Sequence, residues 1–508
     1  MALHPDAVNR NDVATLPERV TDASAPLPRL TLREAALAAW RSPRLFALLL
    51  LVVATIAGAQ LRFDRLTRLD MNGDEGASWA AAFAPSVQLV AKMEARIDPG
   101  KLALYDLVLH EWIRAFGDST FAMRAMSAGL GTIAIVLVFV SVHEVCRSLA
   151  DEPMPAVAEL AAGFAALLYA TNVEIVTQDR IVRMYPLLMC AELLQITFFV
   201  RAQRRGGISN YLGTAIFTAA MVASNFVSAL LLAAEAVWLG WLLLEARWDA
   251  QSRRLAVFLP GCSVLAGIAI LLPWLPRAIA QSQLAVRVGA IDWLEIQPVS
   301  WPYTMLRDST GDHTLFWMFM LLGAFGSWRQ WPGARRAAEF LGIWTIGPFM
   351  AVMAITYFIH SLEFPRYVLI ALVGMFGFAA LGAASVRSTA LRVAFAIGLA
   401  YLSVGPVRDR INNSREAAWH DATILAARET TAGEQVAVFP AWLKNVVRFY
   451  MPLERRSDAV GMQSEKCSSA PVMVLSGRGV ISDQEFVAAQ ACYPRLIARL
   501  QMVEVRGR

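Results

Sequence analysis

Long apolar runs separated by short polar segments dominate this chain. About eleven of these runs are long enough to cross a bilayer as helices. They lie near residues 45–61, 126–145, 156–172, 184–200, 211–226, 228–245, 255–274, 313–327, 339–359, 367–386 and 390–405. The runs lack the alternation of barrel strands, and a helix satisfies its own backbone hydrogen bonds in lipid. The pattern therefore predicts a mainly α, polytopic membrane helical bundle.

The pattern changes at both ends of the chain. Residues 1–44 are polar at first, without a cleavable signal, and predict a cytoplasmic tail joined to the first span by an amphipathic helix over 32–40. Residues 406–508 mix short strand and helix signals: helices over 415–429, 442–450 and 483–490, and strands over 435–439 and 471–475. We therefore expect three parts: a tail (1–44), a membrane domain (45–405) and a small α/β domain (406–508).

Composition agrees with a membrane protein. The chain is 57% hydrophobic and 17% charged, with a mean hydropathy of +0.47, whereas soluble domains are about 25% charged. The net charge is +5, and most basic residues lie between the predicted spans, where membrane topology accounts for them. Nucleic acid is therefore not an expected partner, and no Cys/His spacing of a zinc site is present.

Basic residues between the spans predict the orientation of the chain. With a cytoplasmic N-terminus, every inside loop carries at least one arginine, as the positive-inside rule requires. The segments 62–125, 275–312 and 406–508 then lie outside, the second being rich in Trp with little secondary-structure signal. The expected location is the inner (plasma) membrane, with the C-terminal domain periplasmic or extracytoplasmic. Cys467 and Cys492 fall in that domain and could form a disulfide there.

Candidate chemistry gathers on the predicted outer side. Asp74 and Glu75 follow the first span directly, where such a pair is commonly a turn or a helix cap. Four cations share this face: Lys101, Arg180, Arg183 and Arg366. Each alone could be an interfacial anchor, but the positive-inside rule makes outer cations the minority. Three residues separate Arg180 and Arg183, so on a helix they would share a face.

A carboxylate and several cations at a membrane surface suit sugar transfer from a lipid phosphate. Arginine and lysine hold phosphate oxygens and stabilise charge on the leaving group, while a carboxylate takes the proton of the acceptor hydroxyl. Such a reaction requires no cofactor and no metal. A divalent ion bound by Asp74 and Glu75 is the alternative, but no further carboxylate cluster completes an oxygen shell.

These residues resemble the polyprenyl-phosphate-dependent GT-C glycosyltransferases. The resemblance is to bacterial members of the dolichyl-phosphate-mannose–protein mannosyltransferase family and to the aminoarabinose lipid A transferases. It rests on the order of short elements over most of the chain. These are the acidic pair, GKLALYDLVLHEW at 100–112, RAFG at 114–117 with Arg124, VRMY at 182–185, PWLP at 273–276, RY at 366–367, and VFPAW with RFY at 438–442 and 448–450.

The resemblance implies a role for each matched residue. Asp74 would be the general base, supported by Glu75. The donor phosphate would contact Lys101, Arg183 or its neighbour Arg180, and Arg366, with Tyr105 and Tyr367 near the lipid or sugar. The Pro-Pro pair that follows this position in the family is replaced here by Leu102 and Ala103, so the sequence next to Lys101 differs from the family pattern.

The expected partners are a polyprenyl-phosphate sugar donor, the bilayer, and an acceptor protein, lipid or glycan. Two other readings remain open. One is a lipid or glycan transporter, which should carry internal repeats and ionisable residues inside its spans; the spans are expected to be almost free of charge. The other is a binding protein of the same fold that lacks turnover.

Overall fold

Ten stretches of the chain define the fold. The computed structural model describes residues 42–97, 101–245, 250–287, 301–311, 313–330, 333–358, 365–413, 418–463, 467–477 and 481–508. The amphipathic helix expected over 32–40 lies outside the described residues.

The described helices follow the predicted apolar runs. Their bounds are α1 Pro43–Phe63, α2 Gly73–Ala82, α3 Val87–Ile97, α4 Leu104–Phe116, α5 Thr120–Ser148, α6 Pro155–Thr171, α7 Val173–Asp179, α8 Tyr185–Arg205, α9 Ile208–Ser224, α10 Ala229–Leu244, α11 Ala250–Arg253, α12 Leu259–Ile270, α13 Leu275–Arg287, α14 Trp301–Thr310, α15 His313–Gln330, α16 Arg335–Phe358, α17 Leu369–Ala384, α18 Thr389–Asn413, α19 Trp419–Arg428, α20 Lys444–Tyr450 and α21 Asp483–Cys492. Each of the eleven predicted spans falls on helix.

Several of the long helices are able to span a membrane. By length and hydropathy, eight helical stretches in the described ranges are able to cross a bilayer, and nine if the bent pair α6–α7 counts as one span. The predicted runs 211–226 and 313–327 correspond to α9 and α15, which are helical but fall outside that group. The protein is therefore a multi-pass membrane protein.

A bend of 63° separates α6 from α7. Asn172 sits at the break, where its side-chain oxygen accepts from the backbone N–H of Ile175 and caps α7. Its amide nitrogen donates to the carbonyl of Ser309. At the far end of α7, buried Asp179 accepts from Arg62 of α1 at 2.8 Å. The bend is therefore held from both ends by polar contacts, and the sequence predicted no break there.

The centre of the bundle is formed by α6 and α17. In α17 every residue from Leu369 to Gly377 is buried, and α6 is buried along most of its length. Helix α17 packs against α6, α15 and α16, and α1 and α5 also pack on α6. In contrast, α1 and α18 expose large apolar side chains outward, which suits the lipid-facing periphery of a bundle.

Two buried acidic side chains correct the expectation of charge-free spans. Glu192 of α8 and Glu235 of α10 are only 2% and 3% exposed. Gln195, one turn from Glu192, donates to the Glu235 carboxylate at 3.2 Å. A hydropathy window averages a single acid with its apolar neighbours, so the apolar runs concealed both residues. The spans therefore carry ionisable groups inside the bundle.

A five-stranded mixed sheet forms the core of the C-terminal domain. Its strands are β1 Val436–Phe439, β2 Ala459–Gly461, β3 Val472–Ser476, β4 Arg495–Leu500 and β5 Val503–Gly507, in the order β2-β1-β3-β5-β4. Strand β1 pairs in parallel with β2 and β3, and β5 pairs antiparallel with β3 and β4. We call the end of the bundle on which this domain packs the domain side.

The C-terminal domain is an α/β unit as expected, with three strands that the sequence did not predict. The missed strands are β2, β4 and β5. The pattern Val503-Glu504-Val505-Arg506 alternates as a strand should, but it was not recognised. The segment 275–312 was also expected to show little secondary structure, and this was wrong, because α13 and α14 lie in it. Cys467 and Cys492 form a disulfide, with their Cα atoms 5.4 Å apart.

Candidate functional site

The acidic pair opens a short helix. Helix α2 begins at Gly73, and the side chain of Asn72 caps it by accepting from the backbone N–H of Glu75. The Glu75 carboxylate accepts in turn from the Asn72 N–H at 3.0 Å, which completes a capping box. Both carboxylates lie in the first turn, where the helix dipole favours negative charge. The sequence Asn-Gly-Asp-Glu therefore encodes both the helix start and the place of Asp74.

Glu75 is fully buried and holds the surrounding chain together. Its two oxygens each accept from Arg124 at 2.8 Å, in a bidentate pair. It also accepts from the backbone N–H of Val182 at 3.0 Å. Arg124 donates further to the carbonyls of Leu66, Leu69 and Asp70. These contacts join α2, α5, the 65–72 loop and the 180–184 turn, so Glu75 fixes the start of α2 against the bundle.

Asp74 points to the other side of α2, where two arginines meet it. Its Oδ2 accepts from Arg366 at 2.9 Å, and the Nε of Arg183 lies 3.9 Å from the same oxygen. Both arginine side chains are largely buried, while the Asp74 side chain is 44% exposed. The structure thus brings together three residues that are remote in sequence, and leaves the carboxylate accessible. We call Asp74, Arg183 and Arg366 the Asp74 cluster.

Two tyrosines flank the guanidinium of Arg366. Its carbon lies 5.6 Å from the ring centre of Tyr367 and 5.9 Å from that of Tyr185. Both distances are within the range of a cation–π contact. Tyr367 was a predicted site residue, whereas Tyr185 was given no role. Its place immediately after Val182-Arg183-Met184 was the signal that could have identified it.

Arg180 has a different environment from Arg183. Its guanidinium donates to the carbonyls of Leu61 and Arg62 at 2.6 and 3.2 Å, and so caps the end of α1. The chain leaves helix α7 after Asp179 and forms a turn over 180–184. The expectation that Arg180 and Arg183 share a helical face is therefore wrong, and the two side chains reach different parts of the site.

Lys101 lies in a buried group beside α2. Its ammonium donates to Asp106 at 2.7 Å and lies 5.5 Å from the ring centre of Tyr105. The Tyr105 hydroxyl lies 3.3 Å from that of Ser127. Burial raises the pKa of Tyr105. The hydrogen bond to Ser127 lowers this pKa in part, and the charge of Asp106 raises it further. The phenol therefore stays neutral at physiological pH.

The C-terminal domain packs directly on α2. A Cβ placed on Gly76 would lie 2.9 Å from the backbone nitrogen of Val446 in α20, and one on Gly73 would meet the ring of Trp442. Glycine at Gly76 is therefore required by the close approach of two backbones. The Tyr450 hydroxyl also accepts from the backbone N–H of Met71 at 2.8 Å. The helix that carries Asp74 is thus fixed from both the bundle and the domain.

We expect a Gly76→Ala substitution to displace α20 from α2 and to disturb the Asp74 cluster. The added methyl group would overlap Val446 by several tenths of an ångström, and overpacking costs about 1–3 kcal/mol. Thermal unfolding of the purified protein would show this loss. Gly129→Ala is the matched control, because a Cβ on Gly129 in α5 meets nothing within 4 Å. Equal stability of the two variants would contradict the required close packing.

The predicted site residues therefore fall into separate groups. Asp74, Arg183, Arg366 and Tyr367 come together, Lys101 and Tyr105 form a second group with Asp106, and Arg180 caps α1. Within the described ranges, no three His, Cys, Asp or Glu side chains come together as a metal site.

Comparison with known proteins shows the fold and no closer relationship. No protein-family model and no curated protein matches the sequence. Among solved structures, the chain is similar to ArnT from Cupriavidus metallidurans in the apo state, with a TM-score of 0.60 at 12% identity over 93% of this chain and 98% of that one. The same protein bound to undecaprenyl phosphate gives 0.58 at 14% identity, over 91% and 97%.

A second similar structure is an archaeal oligosaccharyltransferase. AglB from Archaeoglobus fulgidus, in complex with an inhibitory peptide and a dolichol-phosphate, gives a TM-score of 0.55 at 12% identity, over 91% of this chain and 74% of that one. Sequence identities this low support a shared fold but do not show a shared reaction. The predicted fold class is confirmed: this chain has the GT-C fold, a membrane helical bundle with a small C-terminal α/β domain.

Proposed function

We propose that this protein is a membrane glycosyltransferase that moves a sugar from a polyprenyl-phosphate donor to an acceptor hydroxyl. The observation that carries the proposal is the Asp74 cluster: an accessible carboxylate held by two largely buried arginines on a GT-C fold. One similar structure holds undecaprenyl phosphate and another holds a dolichol-phosphate. A polyprenyl phosphate therefore fits both the fold and the charge of the cluster.

In this reaction the two arginines bind the donor phosphate. Guanidinium groups pair with phosphate oxygens through two parallel hydrogen bonds and stabilise the charge of the departing lipid phosphate. The ring contacts of Tyr185 and Tyr367 hold Arg366 in place, so little reorganisation is needed when the phosphate arrives. Lys101 and Tyr105 lie next to α2 in their own buried group with Asp106, so in this proposal they support the site without touching the donor.

Asp74 acts as the base. Both arginines approach its Oδ2, which directs Oδ1 to the acceptor hydroxyl. The carboxylate takes the hydroxyl proton as the oxygen attacks the anomeric carbon, and the bond to the lipid phosphate breaks on the opposite face. The sugar is transferred with inversion and the phosphate leaves as a lipid monophosphate. The acceptor is a protein, a lipid or a glycan.

The domain side faces the extracytoplasmic compartment in this proposal. At the opposite end of the bundle, Glu144 accepts from Arg201 and Arg205, and Arg336 pairs there with Glu245 at 3.2 Å. Basic residues of this kind are typical of cytoplasmic loops. The Cys467–Cys492 disulfide in the C-terminal domain suits an oxidising outer compartment.

The test is sugar transfer in membranes that contain the protein. Radiolabelled sugar would be supplied on a polyprenyl phosphate or, separately, on a nucleotide, and incorporation into lipid, protein and glycan fractions would be counted. We expect transfer from the lipid-linked donor alone. Transfer from the nucleotide donor alone, or no transfer by a folded and inserted protein, would overturn the proposal.

Substitutions at the three arginines would identify those that bind phosphate. We expect Arg183→Gln and Arg366→Gln each to weaken donor binding about 10- to 100-fold, because a hydrogen bond to a charged group contributes about 1.5–3 kcal/mol. Arg180→Gln should leave donor affinity unchanged, since Arg180 caps α1. Titration of the purified variants with a polyprenyl phosphate would measure this. A loss confined to Arg180→Gln would move the phosphate to the other side of α2.

Lipid or glycan transport is the second candidate function. Glu192 and Glu235 favour it, because ionisable residues inside spans commonly mark transport or proton pathways. A transporter should move its lipid between leaflets without breaking the bond between sugar and phosphate. Reconstitution in vesicles with a labelled lipid-linked sugar separates the two functions: intact lipid that changes leaflet indicates transport, and transferred sugar indicates the enzyme.

A further inference from the structure

A groove on the side of the bundle leads to a second group of arginines. It runs between α1 and α18, which both pack on α6 and α7, so that these two helices form its floor. Two cavities of about 280 and 360 Å³ lie along it and share Arg65 and Ile411 as lining residues. Neither cavity is lined by a member of the Asp74 cluster. The smaller cavity reaches the Glu75–Arg124 pair, on the other side of α2 from Asp74.

Lipid is the expected neighbour of this groove. The helices on either side expose large apolar side chains, among them Ile56 of α1 at 65% and Ile397 of α18 at 64%. Ala57, Leu61 and Val404 continue the apolar lining into the larger cavity. An acyl chain lying along α1 and α18 would thus meet an apolar surface that ends at the domain side.

Positive charge collects where the apolar lining ends. Five arginines line the two cavities in addition to Arg124: Arg65, Arg68, Arg180, Arg408 and Arg410. Three carboxylates also line the cavities, those of Asp64, Asp70 and Glu75. Glu75 is paired with Arg124, so only Asp64 and Asp70 oppose the five arginines. The described lining therefore carries a positive excess, which an anionic headgroup would balance.

Arg65 and Arg180 both donate to neutral acceptors. Arg180 donates to the carbonyls of Leu61 and Arg62, and Arg65 donates to the side-chain oxygen of Asn412 at 3.3 Å. Such bonds fix the direction of a guanidinium but do not neutralise its charge. Arg65 and Arg180 are thus held in place at the end of the groove by bonds that leave their positive charges in place.

The backbone of Arg65 is also in an unfavourable conformation. Its φ is +47°, in the left-handed region that residues other than glycine rarely adopt. Strain of this kind costs about 1–3 kcal/mol and is concentrated at active sites and ligand clamps. This conformation places Arg65 at the junction of the two cavities, where it lines both of them.

We propose that this groove binds an anionic phospholipid, with its headgroup phosphate between Arg65, Arg180 and Arg410 and an acyl chain between α1 and α18. Arginine is suited to this because its planar fork matches phosphate oxygens. The bound lipid would bridge α1, α7 and α18. Since no member of the Asp74 cluster lines the groove, this binding does not require sugar transfer and would persist if the proposed function were wrong.

Native mass spectrometry of the full-length protein in neutral detergent would test the proposal. Phosphatidic acid would be titrated against wild type, Arg410→Gln and the double variant Arg65→Gln/Arg410→Gln. We expect about a tenfold loss of affinity for each arginine removed, from the strength of a charged hydrogen bond. Phosphatidylcholine should bind weakly to all three proteins. Arg428→Gln, an exposed arginine at the end of α19, is the matched control and should bind phosphatidic acid as wild type does.

Three outcomes would overturn the proposal. Unchanged affinity in the double variant would remove the arginines from the site. A loss of phosphatidic acid in Arg366→Gln instead would place the lipid at the Asp74 cluster. Displacement by inorganic phosphate would indicate a site for a free anion. Arg410→Gln alters an exposed side chain, so it keeps the test decisive if the double variant fails to fold.

Discussion

An Asp74→Asn variant is expected to lose sugar transfer by about 10²–10⁴-fold, the usual contribution of a general base. The amide keeps the size of the carboxylate but does not take a proton from the acceptor hydroxyl. It also no longer neutralises Arg366, which lies 2.9 Å away in the wild type. Donor affinity should therefore be retained or increased while the transfer rate falls. Single-turnover transfer of radiolabelled sugar, together with donor titration, separates these two quantities.

Glu111→Gln is the matched control for Asp74→Asn. Glu111 lies on α4 in the same segment between α1 and α5, is 58% exposed, and pairs with exposed Arg114. The same change from acid to amide at this position should leave the transfer rate within about twofold of wild type, because surface ion pairs contribute little. If Asp74→Asn retained full activity, the base would have to be sought at Asp106, which is buried and bonded to Lys101.

Breaking the Glu75–Arg124 pair is expected to destabilise the protein by about 3–5 kcal/mol, because it leaves a buried charge without its partner. Glu75→Gln removes the negative member, and Arg124→Met removes the positive one along with three bonds to the carbonyls of the 65–72 loop. Both single variants should unfold at lower temperature than wild type. The measurement is thermal unfolding in detergent, followed by the activity of the fraction that remains folded.

The double variant Glu75→Leu/Arg124→Met tests how Glu75 acts. Replacing both charges with apolar side chains should recover part of the stability that each single change costs. A positioning part predicts that folded Glu75→Gln keeps much of its transfer rate per molecule. A Glu75→Gln protein that is as stable as wild type yet inactive would instead make Glu75 a catalytic residue.

The membrane architecture could be predicted from the sequence because lipid imposes strong requirements. A span needs a long apolar run, and all eleven predicted runs fall on helix. The bend at Asn172 was not predictable in this way, because it depends on a cap and on a bond to Ser309, 137 residues away. Glu192 and Glu235 were missed for a related reason, since hydropathy does not reveal which side chains meet inside the bundle.

The sequence could predict which residues of the candidate site lie on one side of the bundle. It could not predict which of these residues contact one another. Sequence order identified Asp74, Arg183 and Arg366, which the structure brings together. Lys101 was grouped with them by the resemblance and Arg180 as the neighbour of Arg183, but each has a specific partner elsewhere: Asp106 and the end of α1. The choice among cations depends on local geometry, such as the end of α7 at Asp179, and not on residue type.

The contact between Met71 and Tyr450 joins residues that are 379 positions apart. A nascent chain released before Tyr450 would contain all the proposed catalytic residues yet lack the α20 packing that fixes α2. We therefore expect a ribosome to deliver the chain through Tyr450 before the proposed site can assemble. If the proposed function holds, translation products that stop before Tyr450 would be unable to transfer sugar, so synthesis of the α20 segment would itself control the onset of activity.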